Sequence, residues 1–334
     1  MFLPLEKKPD WRNPPLITLI LVIANVLIFY MWQYSDARYE QAADTYYKES
    51  GLDMIELKAY SAYRLQQAQE HDSTGGRQPG GKRFEQMLSD GQFQRQLESN
   101  QIITPDDSGF NQWRSKRDNY QSRLNKSLSV KYALNPSQPK PLNYFTSMFL
   151  HADSAHLIGN MIMLVLLGLG IEILMGRFLF LLGYIFSGLA GNLLYVMIHS
   201  DTFSYGLGAS GAITGILGMA IMIYGLRKIN FFYFLFIYFD FIRARAIWIL
   251  PLYILSQVII YFVFDSEINV TAHLGGLMGG ILYTGALKMI PGIFDKTKID
   301  VGHAKEVYAR KFAEARQLVA SMKIDEARKI FENL

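Results

Sequence analysis

Six long apolar runs alternate with polar segments along this chain, and they limit how it can fold more than any other feature. The runs are Pro14–Trp32, His156–Leu174, Phe178–Ile198, Gly208–Leu226, Ala246–Phe264 and Val270–Ile290. A helix of about 20 apolar residues crosses the hydrocarbon core of a bilayer, which is about 30 Å thick. Because a helix satisfies its own backbone polar groups inside lipid, helices are expected here. The sequence therefore predicts an all-α membrane protein with six transmembrane helices.

Basic residues are distributed unequally over the connections between these runs. The N-terminal tail, the turn at Arg177, the Arg227–Arg245 connection and the tail after Lys288 carry Lys or Arg, whereas the loops His199–Leu207 and Asp265–Asn269 carry none. Short basic connections stay on the cytoplasmic side of a membrane. We therefore expect both termini in the cytoplasm, and we expect an integral, multi-pass protein of a bacterial inner membrane.

The overall composition argues against two other classes of protein. The net charge is +4 and the chain has no cysteine. So small a charge does not indicate a nucleic-acid partner, and a chain without cysteine has neither disulfides nor thiolate chemistry. No nucleic acid is expected among its partners.

Residues 35–140 interrupt the apolar pattern with a long stretch rich in polar and charged side chains of both signs. Helices are predicted at Tyr39–Gln69, Phe84–Asn100 and Gly109–Leu134, separated by stretches rich in glycine, proline and aspartate. We expect an extramembrane helical insert on the external side. Two interpretations stay open: a cap that grips a substrate or partner, and a solvated insert that lies on the membrane surface.

The chain is therefore divided into four parts. Residues 1–34 hold the N-terminal tail and the first membrane helix, and residues 35–140 form the insert. Residues 141–291 form a membrane core with helices two to six, and residues 292–334 form a short cytoplasmic helical tail.

The tail is predicted to form two helices, Lys305–Met322 and a second one capped by Asp325. Its pattern around Ala327 and Phe331 is similar to one tetratricopeptide helix pair. A single pair cannot bury its apolar face alone, so a plain helical tail is the alternative. The insert and this tail are the places where a further protein partner is expected.

Ser210 lies in Gly208-Ala209-Ser210-Gly211, at the start of the fourth apolar run. A serine in a membrane helix can bond to a carbonyl of its own helix without any help from glycine. Glycines on both sides indicate a close backbone approach and open space around the hydroxyl oxygen. The pattern favours a reactive serine, with a structural serine as the alternative.

His273 opens the sixth run in a second glycine-rich stretch that continues through Gly276 and Gly280. A histidine inside a membrane segment is energetically costly and is read as functional by default. In the predicted topology Ser210 and His273 lie at similar depth, near the external ends of their helices. Small residues spaced four apart allow two helices to pack closely, so the two side chains can come within hydrogen-bond reach.

Serine and histidine together are the nucleophile and base of a serine hydrolase. No carboxylate is clearly placed to orient His273, so a Ser–His dyad is expected rather than a triad. His156 and Asn160 share one helix face at the same predicted depth, and they are candidate donors to an oxyanion. The backbone N–H of Ser210 is a further candidate donor.

Other polar residues near these positions give weaker alternatives. Ser204 is a rival nucleophile without the glycine frame, and His199 is a rival base in the same loop. His151 and His156 are a conceivable weak metal pair, but no third ligand stands at a metal-like spacing. We expect neither a metal nor a cofactor.

These stretches, in this order, resemble the rhomboid family of intramembrane serine proteases over residues 14–34 and 141–291. The matching stretches are Phe149–His151, His156–Asn160, Glu172 with Gly176, Gly208–Gly211, and Ala272-His273 with Gly276 and Gly280. The resemblance implies a six-helix bundle whose water-filled site, below the membrane surface, cleaves transmembrane segments of other proteins. The implied partners are transmembrane protein substrates and membrane lipid.

The resemblance also implies a role for each matching residue. The implied roles are nucleophile for Ser210, base for His273, oxyanion hole for His156 and Asn160, and a structural loop position for His151. Some members of the family have a tyrosine four residues after the nucleophile, stacked on the histidine, whereas this chain has Thr214 there. That departure leaves open what supports His273.

Two rival classes share part of this pattern. A catalytically inactive relative would be a membrane binding or chaperone-like protein on the same scaffold. Such a protein would be expected to lack Ser210 or His273, and both are present. A small transporter would carry its polar residues at mid-membrane, whereas here they cluster at the external end.

Overall fold

The computed structural model of the chain describes residues 2–4, 14–70, 80–235, 238–263, 269–293, 308 and 311–331. Its α-helices are α1 (Leu16–Ile28), α2 (Asp36–Glu49), α3 (Leu52–Glu70), α4 (Gly80–Ser89), α5 (Gly91–Glu98), α6 (Phe110–Leu124), α7 (Leu128–Tyr132), α8 (Asn143–Thr146), α9 (Ser154–Met175), α10 (Arg177–Ile198), α11 (Ser210–Tyr224), α12 (Ile249–Val263), α13 (Val270–Lys288), α14 (311–320) and α15 (Ile324–Phe331). Its strands are β1 (Phe2–Pro4), β2 (Lys228–Leu235) and β3 (Tyr238–Arg245).

Three helices in the described part of the chain are long and apolar enough to cross a membrane. They are the continuous helix Leu16–Glu49, which joins α1 to α2 through a π-helical turn, and then α9 and α10. α11 and the segment Ala246–Ile259 are apolar but shorter. The protein is thus mainly helical with several apolar helices, and the count of six spans stays a prediction.

α11 is the centre of the membrane core. Thirteen of its 15 residues are buried, and it packs against both α10 and α13, which also contact each other. A methyl group on Gly276 would overlap the carbonyl oxygen of Gly211, and one on Gly280 would overlap that of Gly215. The two glycine stripes therefore let the backbones of α11 and α13 touch, which no larger residue would permit.

A buried carboxylate on α9 fixes the start of the first membrane helix. Glu172 accepts hydrogen bonds from the backbone N–H of Ile17 at 2.9 Å, from that of Thr18 at 2.7 Å, and from the Thr18 hydroxyl at 2.8 Å. The first N–H groups of a helix have no partner within the helix, so this carboxylate supplies one. It anchors α1 against α9.

The insert is helical as predicted, but each of its three predicted helices is split in two. The chain turns at Gly51, whose φ is +71°, at Asp90 and at Ser127. The side chains of Asp90 and Ser127 each accept a hydrogen bond from the backbone N–H three residues later, which is the geometry of an N-cap. The predicted boundary at residues 34 and 35 also falls inside one continuous helix.

The insert has a hydrophobic core of its own, formed by Tyr47, Leu52, Tyr60, Tyr63, Met87, Phe93, Leu97 and Trp113. At its centre lies Glu56, which has no exposed surface. Its carboxylate accepts hydrogen bonds from the Tyr47 hydroxyl at 2.7 Å, the Trp113 indole at 3.0 Å and the Arg117 guanidinium at 2.9 Å. A buried charge with three partners belongs to a packed helical body, and whether that body grips a partner or lies on the membrane stays open.

Replacing Glu56 by alanine is expected to destabilise the insert by about 3–5 kcal/mol, because it leaves the buried charge of Arg117 without its partner. Limited proteolysis of the protein in detergent measures this as faster cleavage within residues 36–132. Glu49→Ala removes an exposed carboxylate nearby and serves as the control. Equal resistance of the two variants would contradict the structural role of Glu56.

The insert is bonded to the loop 199–207, which leads into α11. The N–H of Gly91 donates to the carbonyl of Asp201 at 2.8 Å. Leu134 and Gly206 exchange two backbone hydrogen bonds of 2.9 and 2.8 Å. Because this loop sets the start of α11, the insert helps to fix the position of Ser210.

The connection between α11 and α12 differs from the purely helical expectation. In this connection β2 and β3 form an antiparallel hairpin in register from Lys228↔Arg245 to Leu235↔Tyr238. β1 pairs with β2 in the same sheet. Aromatic and β-branched residues favour strands, and the stretch is too short to span a bilayer.

The C-terminal helices α14 and α15 pack against each other. Ala315 and Ala327 are buried, and the rings of Phe312 and Phe331 lie 5.7 Å apart. The predicted start of the first tail helix at Lys305 lies outside the described residues, as does most of the predicted acidic loop before α13. A tetratricopeptide unit here stays a prediction.

Candidate active site

Three helices of the membrane core begin at the same end of the bundle and bring the predicted polar residues there. His156 is the third residue of α9, Ser210 the first of α11 and His273 the fourth of α13. Gly211 faces Ala272, and the next turns of α11 and α13 stay in register. The three side chains therefore lie at one end of the bundle, and their matched depth in a membrane stays a prediction.

Ser210 begins α11, so its own N–H is among the first backbone donors of the helix, which have no intrahelical partner. The preceding turn is held by Gly208, whose φ of +128° only glycine adopts readily and whose N–H donates to the carbonyl of Ser147 at 2.9 Å. Within the described residues the Ser210 hydroxyl makes no hydrogen bond. The oxygen is therefore not committed to a structural bond.

The side chains of His156 and Ser210 meet over Gly208. A methyl group on Gly208 would lie 3.1 Å from His156 Nε2 and 3.6 Å from Ser210 Oγ. The absence of a side chain at Gly208 thus leaves a small space that both groups line. Such a space is what a reacting carbonyl needs between a nucleophile and a hydrogen-bond donor.

The backbone around His156 sets which ring nitrogen carries the proton. The N–H of Ala152 points at His156 Nδ1 across a long contact of 3.5 Å, which favours the tautomer with its proton on Nε2, the nitrogen that faces Gly208. Asp153 caps α9 by accepting from the His156 N–H at 2.8 Å. Nε2–H is therefore directed as a donor into the space beside Ser210.

Asn160 is less clearly placed. Its side-chain nitrogen donates to the His156 carbonyl in the same helix at 3.1 Å, and the residue is 8% exposed. Among the described residues it makes no hydrogen bond to Ser210 or His273. The predicted oxyanion role for Asn160 stays a prediction.

His151 supports His156 from a loop that the π-helical turn after α1 holds. Its buried ring packs edge-on against the His156 ring at 5.2 Å. Gln33, in the π-helical turn, accepts from the His151 N–H at 3.1 Å and donates to its carbonyl at 3.2 Å. Burial lowers the pKa of His151 to about 3, so the ring is neutral at physiological pH. The sequence did not single out Gln33 for this role.

Two residues that sequence patterns had left without a role hold His273. Thr214, where some relatives have tyrosine, donates from its hydroxyl, which lies 2.9 Å from the His273 carbonyl and 2.8 Å from that of Gly211. The His273 ring bonds through Nδ1 to Gln257 Oε1 at 2.9 Å. Gln257 is a lone amide in the fifth apolar run, and that polarity was the signal available.

The rival residues are engaged elsewhere. Ser204 Oγ lies 2.6 Å from the Tyr195 hydroxyl, and His199 Nε2 lies 3.0 Å from the Thr271 hydroxyl. Both contacts tie the loop 199–207 to neighbouring helices. This leaves Ser210 and His273 as the better pair for chemistry.

No hydrogen bond joins Ser210 and His273 within the described residues. Catalytic hydrogen bonds are often long without substrate and tighten when substrate binds. Above the site, a cavity of about 1250 Å³ lies between the insert and the core, lined among others by Tyr120, His151 and Leu207.

Comparison with known proteins places these observations in a family context. The family model described as "Rhomboid domain" matches residues 138–289. The "Putative rhomboid protease YdcA" of Bacillus subtilis (strain 168) is 32% identical over 138 residues, which cover 41% of this chain and 62% of that protein. The "Rhomboid-like protease 3" of Toxoplasma gondii is 28% identical over 137 residues, covering 41% of this chain and 48% of that protein. The chain thus spans about half to three fifths of the length of these relatives.

Proposed function

Because the chain belongs to the rhomboid family through residues 138–289, we propose that it is an intramembrane serine endopeptidase. Its substrates are transmembrane segments of other membrane proteins. The observation that carries the proposal is the meeting of Ser210 and His156 over Gly208, at the start of the buried helix α11. His273 is held one helix away by its bonds to Thr214 and Gln257.

The reaction follows from these positions. As Ser210 Oγ attacks the carbonyl carbon of the scissile amide, His273 Nε2 takes the hydroxyl proton. The negative charge on the carbonyl oxygen is stabilised by Nε2–H of His156 and by the N–H groups at the start of α11. His273 then gives its proton to the leaving amine, and a water molecule hydrolyses the acyl-enzyme by the same steps in reverse.

The length of α11 supports a site below the membrane surface. At about 1.5 Å per residue its 15 residues measure roughly 22 Å, less than the hydrocarbon thickness of about 30 Å. If its other end, at the β2–β3 hairpin, lies at the interface, Ser210 lies inside the bilayer. This agrees with an integral membrane protein whose termini are both cytoplasmic, which is part of the proposal.

Replacing His156 by alanine is expected to lower kcat by about 10²–10³-fold, because one oxyanion donor is lost while the backbone donors of α11 remain. Asn160→Ala is expected to cost less, since its amide is already bonded within α9. The measurement is the initial rate of cleavage of a model transmembrane substrate. Ile158→Ala changes an exposed residue between them and is the control. Wild-type rates in both polar variants would refute the oxyanion assignment.

The proposal is tested by incubating the purified protein in liposomes with a single-span substrate and mapping the product termini by mass spectrometry. Cleavage in or near the span, absent with Ser210→Ala, is the expected result. Binding of the substrate without any cleavage would instead identify a catalytically inactive, chaperone-like relative. Substrates with and without an external segment also test whether the cavity under the insert contributes to substrate choice.

A further inference from the structure

The side chain of Gln257 is the one hydrogen-bond partner of the His273 ring within the described residues. Gln257 Oε1 lies 2.9 Å from His273 Nδ1, and the residue is 4% exposed. The two residues stand on different helices, α12 and α13. A polar side chain is costly inside a membrane segment, so a buried amide that joins two helices at the proposed base indicates a functional role.

The amide orientation fixes the tautomer of the imidazole. Gln257 Nε2 faces the Ser256 hydroxyl at 3.4 Å, so Oε1 faces the ring. A carbonyl oxygen can only accept a hydrogen bond, so Nδ1 of His273 carries the proton. The neutral ring then has its lone pair on Nε2, which is the state a general base requires.

We propose that Gln257 is a positioning residue that holds His273 with Nε2 free to take the proton of Ser210. This rests on the proposed function. When Nε2 receives that proton, the ring becomes a cation, and the Gln257 oxygen accepts a stronger, charge-assisted bond from Nδ1–H. In a catalytic triad a carboxylate orients the histidine. The Gln257 amide orients His273 in the same way, but it adds no charge to the membrane core.

A second contact holds the backbone of the same histidine. The Thr214 hydroxyl, on α11, donates to the His273 carbonyl at 2.9 Å. Leu255, two residues before Gln257 on α12, is exposed and makes a matched control position.

The test compares Gln257→Leu, which removes the acceptor, with Gln257→Glu, which keeps an acceptor and adds a charge. By analogy with the partners that orient metal-bound histidines, whose loss lowers activity about 10–100-fold, a similar loss is expected here. We expect Gln257→Leu to lower kcat by that factor with KM nearly unchanged, since the substrate is not touched. Leu255→Ala, on the exposed face of the same turn, is the control and is expected to keep the wild-type kcat.

The pH profile separates positioning from mere packing. A carboxylate beside the ring favours the imidazolium, so in Gln257→Glu the acid limb of the kcat profile is expected at higher pH. A role in packing alone would not move that limb. Wild-type kcat in Gln257→Leu, or an unmoved acid limb in Gln257→Glu, would overturn the inference.

The same experiment distinguishes this inference from the proposed function. If Ser210→Ala is inactive while Gln257→Leu has wild-type kcat, only the role of Gln257 is wrong. If Ser210→Ala turns over substrate normally, the proposed function fails, and the role of Gln257 fails with it. Melting temperatures in detergent show that each variant is folded, and Gln257→Glu decides the question should Gln257→Leu unfold.

Discussion

Ser210→Ala and His273→Ala are each expected to reduce the cleavage rate to background, a loss on the order of 10⁶-fold by analogy with subtilisin. Ser210→Ala removes the oxygen that attacks the scissile carbonyl, and His273→Ala removes the nitrogen that takes its proton. Both interactions are made only during the reaction. Because the two groups act as one unit, the double variant is expected to be no slower than either single variant. The measurement is single-turnover cleavage in liposomes.

The rival pair in the loop 199–207 supplies the matched controls. Ser204→Ala and His199→Ala remove the same side chains from positions engaged with Tyr195 and Thr271. These variants are expected to keep most of the activity. If Ser204→Ala were inactive while Ser210→Ala remained active, the nucleophile would be Ser204 in the loop. That result would contradict the site described above.

Gly276→Ala is expected to lower activity by at least about 10²-fold, the loss that a displacement of about 1 Å in a catalytic group can cause. The added methyl group would overlap the Gly211 carbonyl, and backbone atoms cannot move aside as a flexible side chain can. The helices α11 and α13 must then separate, which displaces Ser210 from His273. Overpacking of this kind also costs about 1–3 kcal/mol of stability.

Gly285→Ala, on the same helix, is the matched control. A methyl group there meets only the end of the Met222 side chain, at 3.4 Å. Alanine has the better helix propensity, so this variant is expected to be active and at least as stable as the wild type. Rates and melting temperatures of both variants in detergent provide the comparison. Equal activity of the two would show that the close contact of α11 and α13 does not set the catalytic geometry.

The sequence predicted well what depends on local patterns. Apolar runs located the helices of the membrane core, and the glycines around Ser210 and His273 located the close contact of α11 with α13. The apolar residues belong to the helices that they predict, and the glycines lie within a few residues of the contact that they predict. For the same reason the matched positions of Ser210 and His273 near the starts of their helices were accessible without a structure.

What the sequence did not reveal depends on partners far along the chain or on single turn residues. The role of Gln257 depends on its contact with the His273 ring. The role of Gln33 depends on its bond to the loop at His151, 118 residues away. The splits in the insert depend on caps such as Asp90, which helical periodicity does not register. The β2–β3 hairpin was not predicted, because the pairing of its two strands joins residues up to 17 apart in the sequence, as Lys228 with Arg245.

Labelling of the purified protein with a fluorophosphonate probe tests the central claim most directly, because the probe reacts with a serine only when a base activates it. The labelled residue is identified by mass spectrometry in the wild type, Ser210→Ala and His273→Ala. The account predicts label on Ser210 in the wild type, none in Ser210→Ala and strongly reduced label in His273→Ala. Label on another serine, or undiminished labelling in Ser210→Ala, would contradict it.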